Sequence, residues 1–237
     1  MKKLVLGILL LCGINLYADL ASGFDEYNKG SYKEAVEIWA QACSDGDRDA
    51  CHNAGFMFYS GDKIKQDYKK ALNFFSDACN GGRNTSCNNV GNMYSRAIGI
   101  EQDFTKAIEF YNKGCDAEEG NSCFNLGNIY LYGKVVEQHF IKAKEYFTKA
   151  CNSDHMNACN KLGNLYIKAK EYTESKELFT KSCNGGFADG CLSLGILYIN
   201  GFGVDKNTTK AKELLKQLEE RGYISEQKEY KTREVYV

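Results

Sequence analysis

Proline is absent from this chain. An interior proline costs a helix about 3 kcal/mol, so its absence leaves every segment free to be helical. Charge of one sign is lacking too. Thirty basic and 31 acidic side chains give a formal charge of −1, and no basic stripe stands out. A nucleic-acid partner is therefore not expected. Histidine is scarce, with only His52, His139 and His155. They form no His-x-His-x-Asp cluster, which argues against a zinc hydrolase built on histidines and leaves no metal site expected. Gly-x-Ser-x-Gly and phosphate-loop motifs are missing, and no cofactor is implied.

Cysteine, by contrast, is abundant. Eleven cysteines in 237 residues are too many for an ordinary cytosolic protein. The N-terminus accounts for them. Lys2 and Lys3 precede a short apolar run, Leu4 to Leu16, and Tyr17-Ala18 ends in a small residue. The pattern predicts a signal peptide over 1–18, cleaved after Ala18. A retained anchor is the alternative, but the run is short for a bilayer span. Acylation at Cys12 would want a small residue before it, and Leu11 is not small. Loss of Lys2 and Lys3 would take the formal charge from −1 to −3. The mature chain is expected in the periplasm or outside a Gram-negative cell, with no stable membrane insertion.

Ten cysteines remain: Cys43, Cys51, Cys79, Cys87, Cys115, Cys123, Cys151, Cys159, Cys183 and Cys191. Each pair is spaced by eight, and the pairs step by 36, 36, 36 and 32. Such regularity marks an internal repeat. Sequence alone does not normally fix connectivity, but every unit possesses a partner eight residues away. Turn-like residues lie between, such as Ser44-Asp45-Gly46-Asp47 and Asn80-Gly81-Gly82. A tight interhelical turn brings such ends within disulfide range. Each closed loop then stabilises by about 2.5 kcal/mol in the chain-entropy model. Structural zinc is the competing reading, against which the spacing and an oxidising compartment both argue.

Behind each second cysteine runs one pattern, here called helix A. The cysteine, an apolar residue three on, a glycine four on and an aromatic seven on share one helical face. The glycine recurs at 55, 91, 127, 163 and 195. Glycine inside a helix is costly, so its recurrence predicts close approach by a neighbour. Helix B leads to each first cysteine, as in Asp67-Tyr68-Lys69-Lys70-Ala71 and Asp103-Phe104-Thr105-Lys106-Ala107. Asp67 and Asp103 are candidate N-caps, and the lysine before each alanine reads as solvated.

These units resemble Sel1-like repeats, which are related to the tetratricopeptide repeat. With a C-x7-C pair in each, they resemble the Helicobacter cysteine-rich protein family. The resemblance implies an all-α chain: a right-handed α/α solenoid of about six helix pairs over 19–222, cross-linked by C-x7-C disulfides. A polar tail would follow over 223–237. Two units depart from the 36-residue form. The first lacks a cysteine in its first helix, and the fifth has a connection four residues shorter around 168–171. The last helix, near 207–222, is expected to cap the stack.

With one face of helix A committed to the core, the opposite face offers a site. It carries the residues one, two, five and nine positions beyond each cysteine, and at two, five and nine these include Asn53, Asn89 and Asn125; Asn92, Asn128 and Asn164; and Arg96, Tyr132 and Lys168. An asparagine amide both donates and accepts, so such rows can hold a peptide backbone whatever its side chains. The resemblance implies a protein or peptide ligand in a concave groove. It also implies penicillin binding or weak β-lactamase activity, with a β-lactam or peptidoglycan-like small molecule as the ligand. No motif for that chemistry is recognisable in the residues. Ser60-Gly61-Asp62-Lys63 matches Ser-x-x-Lys by spacing, but the Ser-Asp-Asn and Lys-Thr-Gly elements are missing; Lys231-Thr232 is followed by Arg233. No catalytic residue is assigned. One further motif, Asp205-Lys206-Asn207-Thr208-Thr209, resembles an extended bacterial N-glycosylation acceptor.

Overall fold

The computed structural model describes residues 19–133 and 135–223, and every regular element among them is an α-helix. The expected leader with Cys12, the tail from 224 onward and Lys231-Thr232 lie outside the described residues. Helix α1 spans 19–29. It is followed by α2 (Tyr32–Ser44), α3 (Arg48–Ser60), α4 (Tyr68–Asn80), α5 (Asn84–Ser95), α6 (Phe104–Asp116) and α7 (Gly120–Tyr132). Then come α8 (Phe140–Asn152), α9 (Met156–Lys168), α10 (Tyr172–Asn184), α11 (Ala188–Asn200) and α12 (Thr208–Glu220). Odd-numbered helices are the A pattern and even-numbered ones the B pattern. The helices fall into two compact units, one ending at Leu126 and the other starting at Gly127.

Local chemistry sets where the helices begin. Asp67 and Asp103 cap α4 and α6 as expected, accepting from the backbone N–H of Lys70 and Lys106. His139 and Asn207 do the same for α8 and α12. All four follow long A-to-B connections. Where the connection is short, Ser31 and Glu171 make no side-chain cap bond. Three long connections close on a glutamine, a feature the helical patterns do not announce. Gln66, Gln102 and Gln138 donate to the carbonyls of Tyr59, Ser95 and Leu131, each seven residues back. Each loop thereby satisfies a carbonyl that the helix end leaves without a partner.

The five disulfides join Cys43–Cys51, Cys79–Cys87, Cys115–Cys123, Cys151–Cys159 and Cys183–Cys191. Cα separations are 4.5–4.8 Å. Each staples the end of a B helix to the start of the next A helix. The turn between them needs one left-handed residue. Gly46, Gly82 and Gly186 supply it, and Glu118 and Asp154 adopt it in the other two turns. Beneath each bridge the preceding residues are small: Ala42 with Ala50, Ala78 with Ser86, Gly114 with Ser122, Ala150 with Ala158, and Ser182 with Gly190. A Cβ on Gly114 would meet Ser122, and one on Gly190 would meet Ser182. At these two pairs the serine occupies the space that a second side chain would need, and in all five the helix ends stay close enough for the cross-link.

The recurring helix A glycine is a seat for a ring. Phe75 lies on Gly55, Tyr111 on Gly91, Phe147 on Gly127 and Phe179 on Gly163; an added Cβ would stand 2.5–2.8 Å from the ring. Trp39 lies on Gly23 in the same way. Each ring comes from the B helix of the same pair. Gly195 breaks the series, because a methyl group added there would have nothing within 4 Å. The residue of α12 at the ring's place is Leu215.

One detail of the core face differs from expectation. The aromatic seven beyond the cysteine is only half-buried, at Phe58, Tyr94, Tyr130, Tyr166 and Tyr198. Met57, Met93 and Leu197, six beyond, are the buried ones. The aromatic edge instead stacks on a ring of helix B, as in Phe58 with Phe74 and Tyr130 with Tyr146. The lysine before each alanine is exposed as expected, yet its ammonium has a place. Lys70, Lys106, Lys142 and Lys210 lie 4.9–5.2 Å from the ring centres of Phe58, Tyr94, Tyr130 and Tyr198. Where Glu174 replaces that lysine, Lys144 covers Tyr166 from the preceding B helix. Such contacts stabilise by about 0.5–1 kcal/mol at exposed sites.

Candidate functional site

In the first unit, the face of the A helices opposite the core carries Asn53, Asn89, Asn92, Asn125 and Arg96. The four asparagines are half-buried and Arg96 is exposed. Two of the amides are already engaged. Asn92 Oδ1 accepts from the Tyr111 hydroxyl at 2.8 Å, and the same hydroxyl pairs with Ser95 Oγ at 2.9 Å. Burial pushes the Tyr111 phenol above its ordinary range, an effect the Ser95 hydrogen bond opposes, so it stays a neutral donor. Asn125 Nδ2 donates to Asn88 Oδ1 at 2.9 Å. Asn88 stands one beyond its cysteine, on the first row of the same face. That row joins neighbouring repeats: His52 reaches Ser86, and in the second unit Asn160 accepts from Ser193 at 3.0 Å. Asn53 and Asn89 make no side-chain hydrogen bond among the described residues. Phe56, on the same row as Asn92, is 55% exposed.

The second unit presents Asn128, Tyr132, Asn164 and Lys168. Asn128 and Asn164 are half-buried, and neither makes a side-chain hydrogen bond among the described residues. Tyr132 is 54% exposed, and Lys161 Nζ donates to its hydroxyl at 3.5 Å. Ile196, on the asparagine row, is 50% exposed. The surface is thus a mixture of open amides, lysine and exposed apolar groups.

The remaining candidates are accounted for by structure. Ser60 ends α3 and its hydroxyl donates to the Met57 carbonyl. Lys63 lies over the Tyr32 ring at 5.3 Å, so the two are not arranged as nucleophile and base. His139 and His155 cap α8 and α9 through Nδ1. All ten cysteines in the repeats are spent on disulfides. Among the described residues no group of three His, Cys, Asp or Glu side chains could hold a metal ion. Among them, too, no helix is long and apolar enough to cross a membrane.

His52 and Ser86 form a histidine–serine contact at 2.7 Å. Ser86 is fully buried, so no substrate reaches its hydroxyl. Burial lowers the His52 pKa, the Arg83 guanidinium adds to that, and Asp49 opposes it. Neutral His52 therefore favours the fold. That contribution is complete above the ordinary histidine value of about 6.5 and is lost as pH falls through the lowered one. The melting temperature is expected to drop as pH goes from 7 to 5, and to drop less in His52→Gln. Parallel melting curves for the two proteins would remove His52 as the cause.

A model of the Sel1 repeat matches residues 48–82, 85–118, 120–155 and 188–223, more than half of the chain. The chain belongs to the Sel1 repeat family. In this Sel1 repeat protein, the unmatched stretches 19–47 and 156–187 hold α1–α2 and α9–α10, the two pairs with short connections. No curated protein matches. Among solved structures, the fold is similar to a protective antigen present in uropathogenic Escherichia coli strains, at 24% identity and a TM-score of 0.78. That match covers 87% of this chain and 46% of the antigen, so the Sel1 repeat protein spans less than half of its length. A Sel1 repeat protein from Oxalobacter formigenes is similar at 21% identity and a TM-score of 0.74, covering 86% of this chain and 84% of that one. Helicobacter pylori cysteine rich protein B shares 26% identity over 54% of this chain and 91% of its own, at a TM-score of 0.44.

Proposed function

We propose that this Sel1 repeat protein is an exported interaction scaffold that binds a peptide or protein segment along the exposed face of its A helices. The open amides of Asn128 and Asn164 carry the reading. They stand on the same row of successive A helices, half-buried and without side-chain hydrogen bonds among the described residues. Paired amides of that kind suit an extended backbone, offering a donor and an acceptor at each step. Tyr132 and Ile196 beside them supply exposed apolar area for a partner's side chains, and Lys161 and Lys168 add positive charge. In the first unit Asn53 and Asn89 would serve similarly, whereas Asn92 and Asn125 hold the repeats together. Export is supported by the five disulfides, which persist in an oxidising compartment; the periplasm of a Gram-negative cell, reached through the leader read at 1–18, fits that requirement.

A phage-displayed peptide library panned on the mature chain provides the probe. For a selected peptide, Asn128→Ala combined with Asn164→Ala is expected to weaken Kd at least tenfold, as two lost hydrogen bonds of about 1 kcal/mol each require. The melting temperature should stay within about 2 °C, because surface changes away from the core are nearly neutral. A peptide that binds both proteins equally would refute the groove.

A further inference from the structure

The interaction reading leaves one motif unused, Asp205-Lys206-Asn207-Thr208-Thr209. We propose that Asn207 is an N-glycosylation acceptor, presented at the exposed end of the 201–207 connection, and that it receives its glycan from a lipid-linked glycosyl pyrophosphate. Asn-x-Thr is the acceptor pattern and belongs on a surface loop of an exported protein. Here Asp205, Asn207 and Thr209 are all exposed. Asn207 also lines an open depression of about 640 Å³, together with Lys176, Tyr198 and Lys210.

The chemistry is compatible with the fold. The Nδ2 nitrogen attacks the anomeric carbon of the donor. The bond from that carbon to the pyrophosphate oxygen breaks, the oxygen keeps the electron pair, and Nδ2 gives up one proton. Oδ1 is not consumed. It accepts from the Lys210 N–H at 2.9 Å, and that cap remains after transfer. An acceptor must also yield locally to enter a transferase, and α12 is placed to do so. It buries only Ala211 and Leu218, and Gly195 of its partner helix carries no ring. Helices with few buried contacts open at low cost.

A second Asn-x-Ser sequence, Asn84-Thr85-Ser86, shows the opposite arrangement. Ser86 is fully buried against His52, and Asn84 Nδ2 donates to the Ala117 carbonyl at 3.3 Å. Structure therefore separates one open acceptor from one closed one, which the motif alone does not.

The test exports the full chain to the periplasm of a host that makes a lipid-linked glycan. The host also carries an oligosaccharyltransferase that accepts acidic-x-Asn-x-Thr sequences. Intact mass is expected to rise by one glycan, mapped by fragmentation to Asn207. Asn207→Gln and Thr209→Val should each abolish the gain, and Asp205→Asn should reduce it at least tenfold. Asn84→Gln should leave it unchanged. Thr209→Val keeps the Asn207 cap, so its loss of glycan cannot be ascribed to a damaged helix start. An unmodified wild-type chain in cells that modify a control acceptor would overturn the proposal. So would a mass gain that persists in Asn207→Gln.

Discussion

Replacing Cys151 and Cys159 together by alanine is expected to lower the melting temperature by about 5–10 °C. The bridge closes a nine-residue loop, for which the chain-entropy model gives about 2.5 kcal/mol. In a chain of 150–250 residues each kcal/mol moves the midpoint by about 2–4 °C. Both cysteines are also buried, so lost packing adds to the effect. Reduction of all five bridges acts on the whole array. Five such contributions approach about 12 kcal/mol, comparable with the roughly 5–15 kcal/mol net stability of a typical domain. The reduced protein is therefore expected to be unfolded at 37 °C. Circular dichroism melting with and without a phosphine reductant measures both effects. A reduced chain that melts within 2 °C of the oxidised one would show that the bridges are ornamental.

The second large effect is a change of sign at one repeat position. Gly163→Ala is expected to destabilise by about 1–3 kcal/mol, the usual result of overpacking a filled core. Its new methyl would lie 2.5 Å from the ring of Phe179, which is itself buried. Gly195→Ala occupies the same position in the last A helix, where nothing stands within 4 Å. There the usual helical advantage of alanine over glycine applies, and stability should rise by about 0.5–1 kcal/mol. Urea melts of the two variants decide the point. Equal destabilisation by both would mean that the glycine serves the helix backbone and not the ring.

Much of this architecture was legible in the residues. Cysteine phase carries the repeat length and the pairing, because an eight-residue spacing recurs only if each unit solves the same turn in the same way. Asp67 and Asp103 are readable as caps because an acidic side chain before a helix has one common use. The recurring glycine announces a close neighbour. It does not say that the neighbour is Phe75 or Phe147, since a ring and a helix backbone leave the same mark on a sequence. Gln66, Gln102 and Gln138 were visible as a 36-residue series, yet a loop glutamine has no fixed role until its partner is seen. The asparagine rows follow from the phase of helix A. Which amides are spent does not. Asn92 is taken by Tyr111, a tyrosine where three other repeats have phenylalanine, and that substitution was the available signal. Lysines such as Lys70 looked merely solvated because an exposed ammonium over an exposed ring edge leaves no trace in hydropathy.

The locality of the cross-links has a consequence for how the protein is made. A chain with ten cysteines faces many wrong pairings, and their repair requires slow disulfide exchange. Here each partner follows eight residues behind the first. A chain crossing a membrane N-terminus first would present the two thiols of one turn together, before the next pair emerges. Each repeat can then be oxidised in order, and no finished bridge waits on a distant segment. The same arrangement makes a 36-residue duplication self-sufficient, because the inserted segment brings both halves of its own bridge.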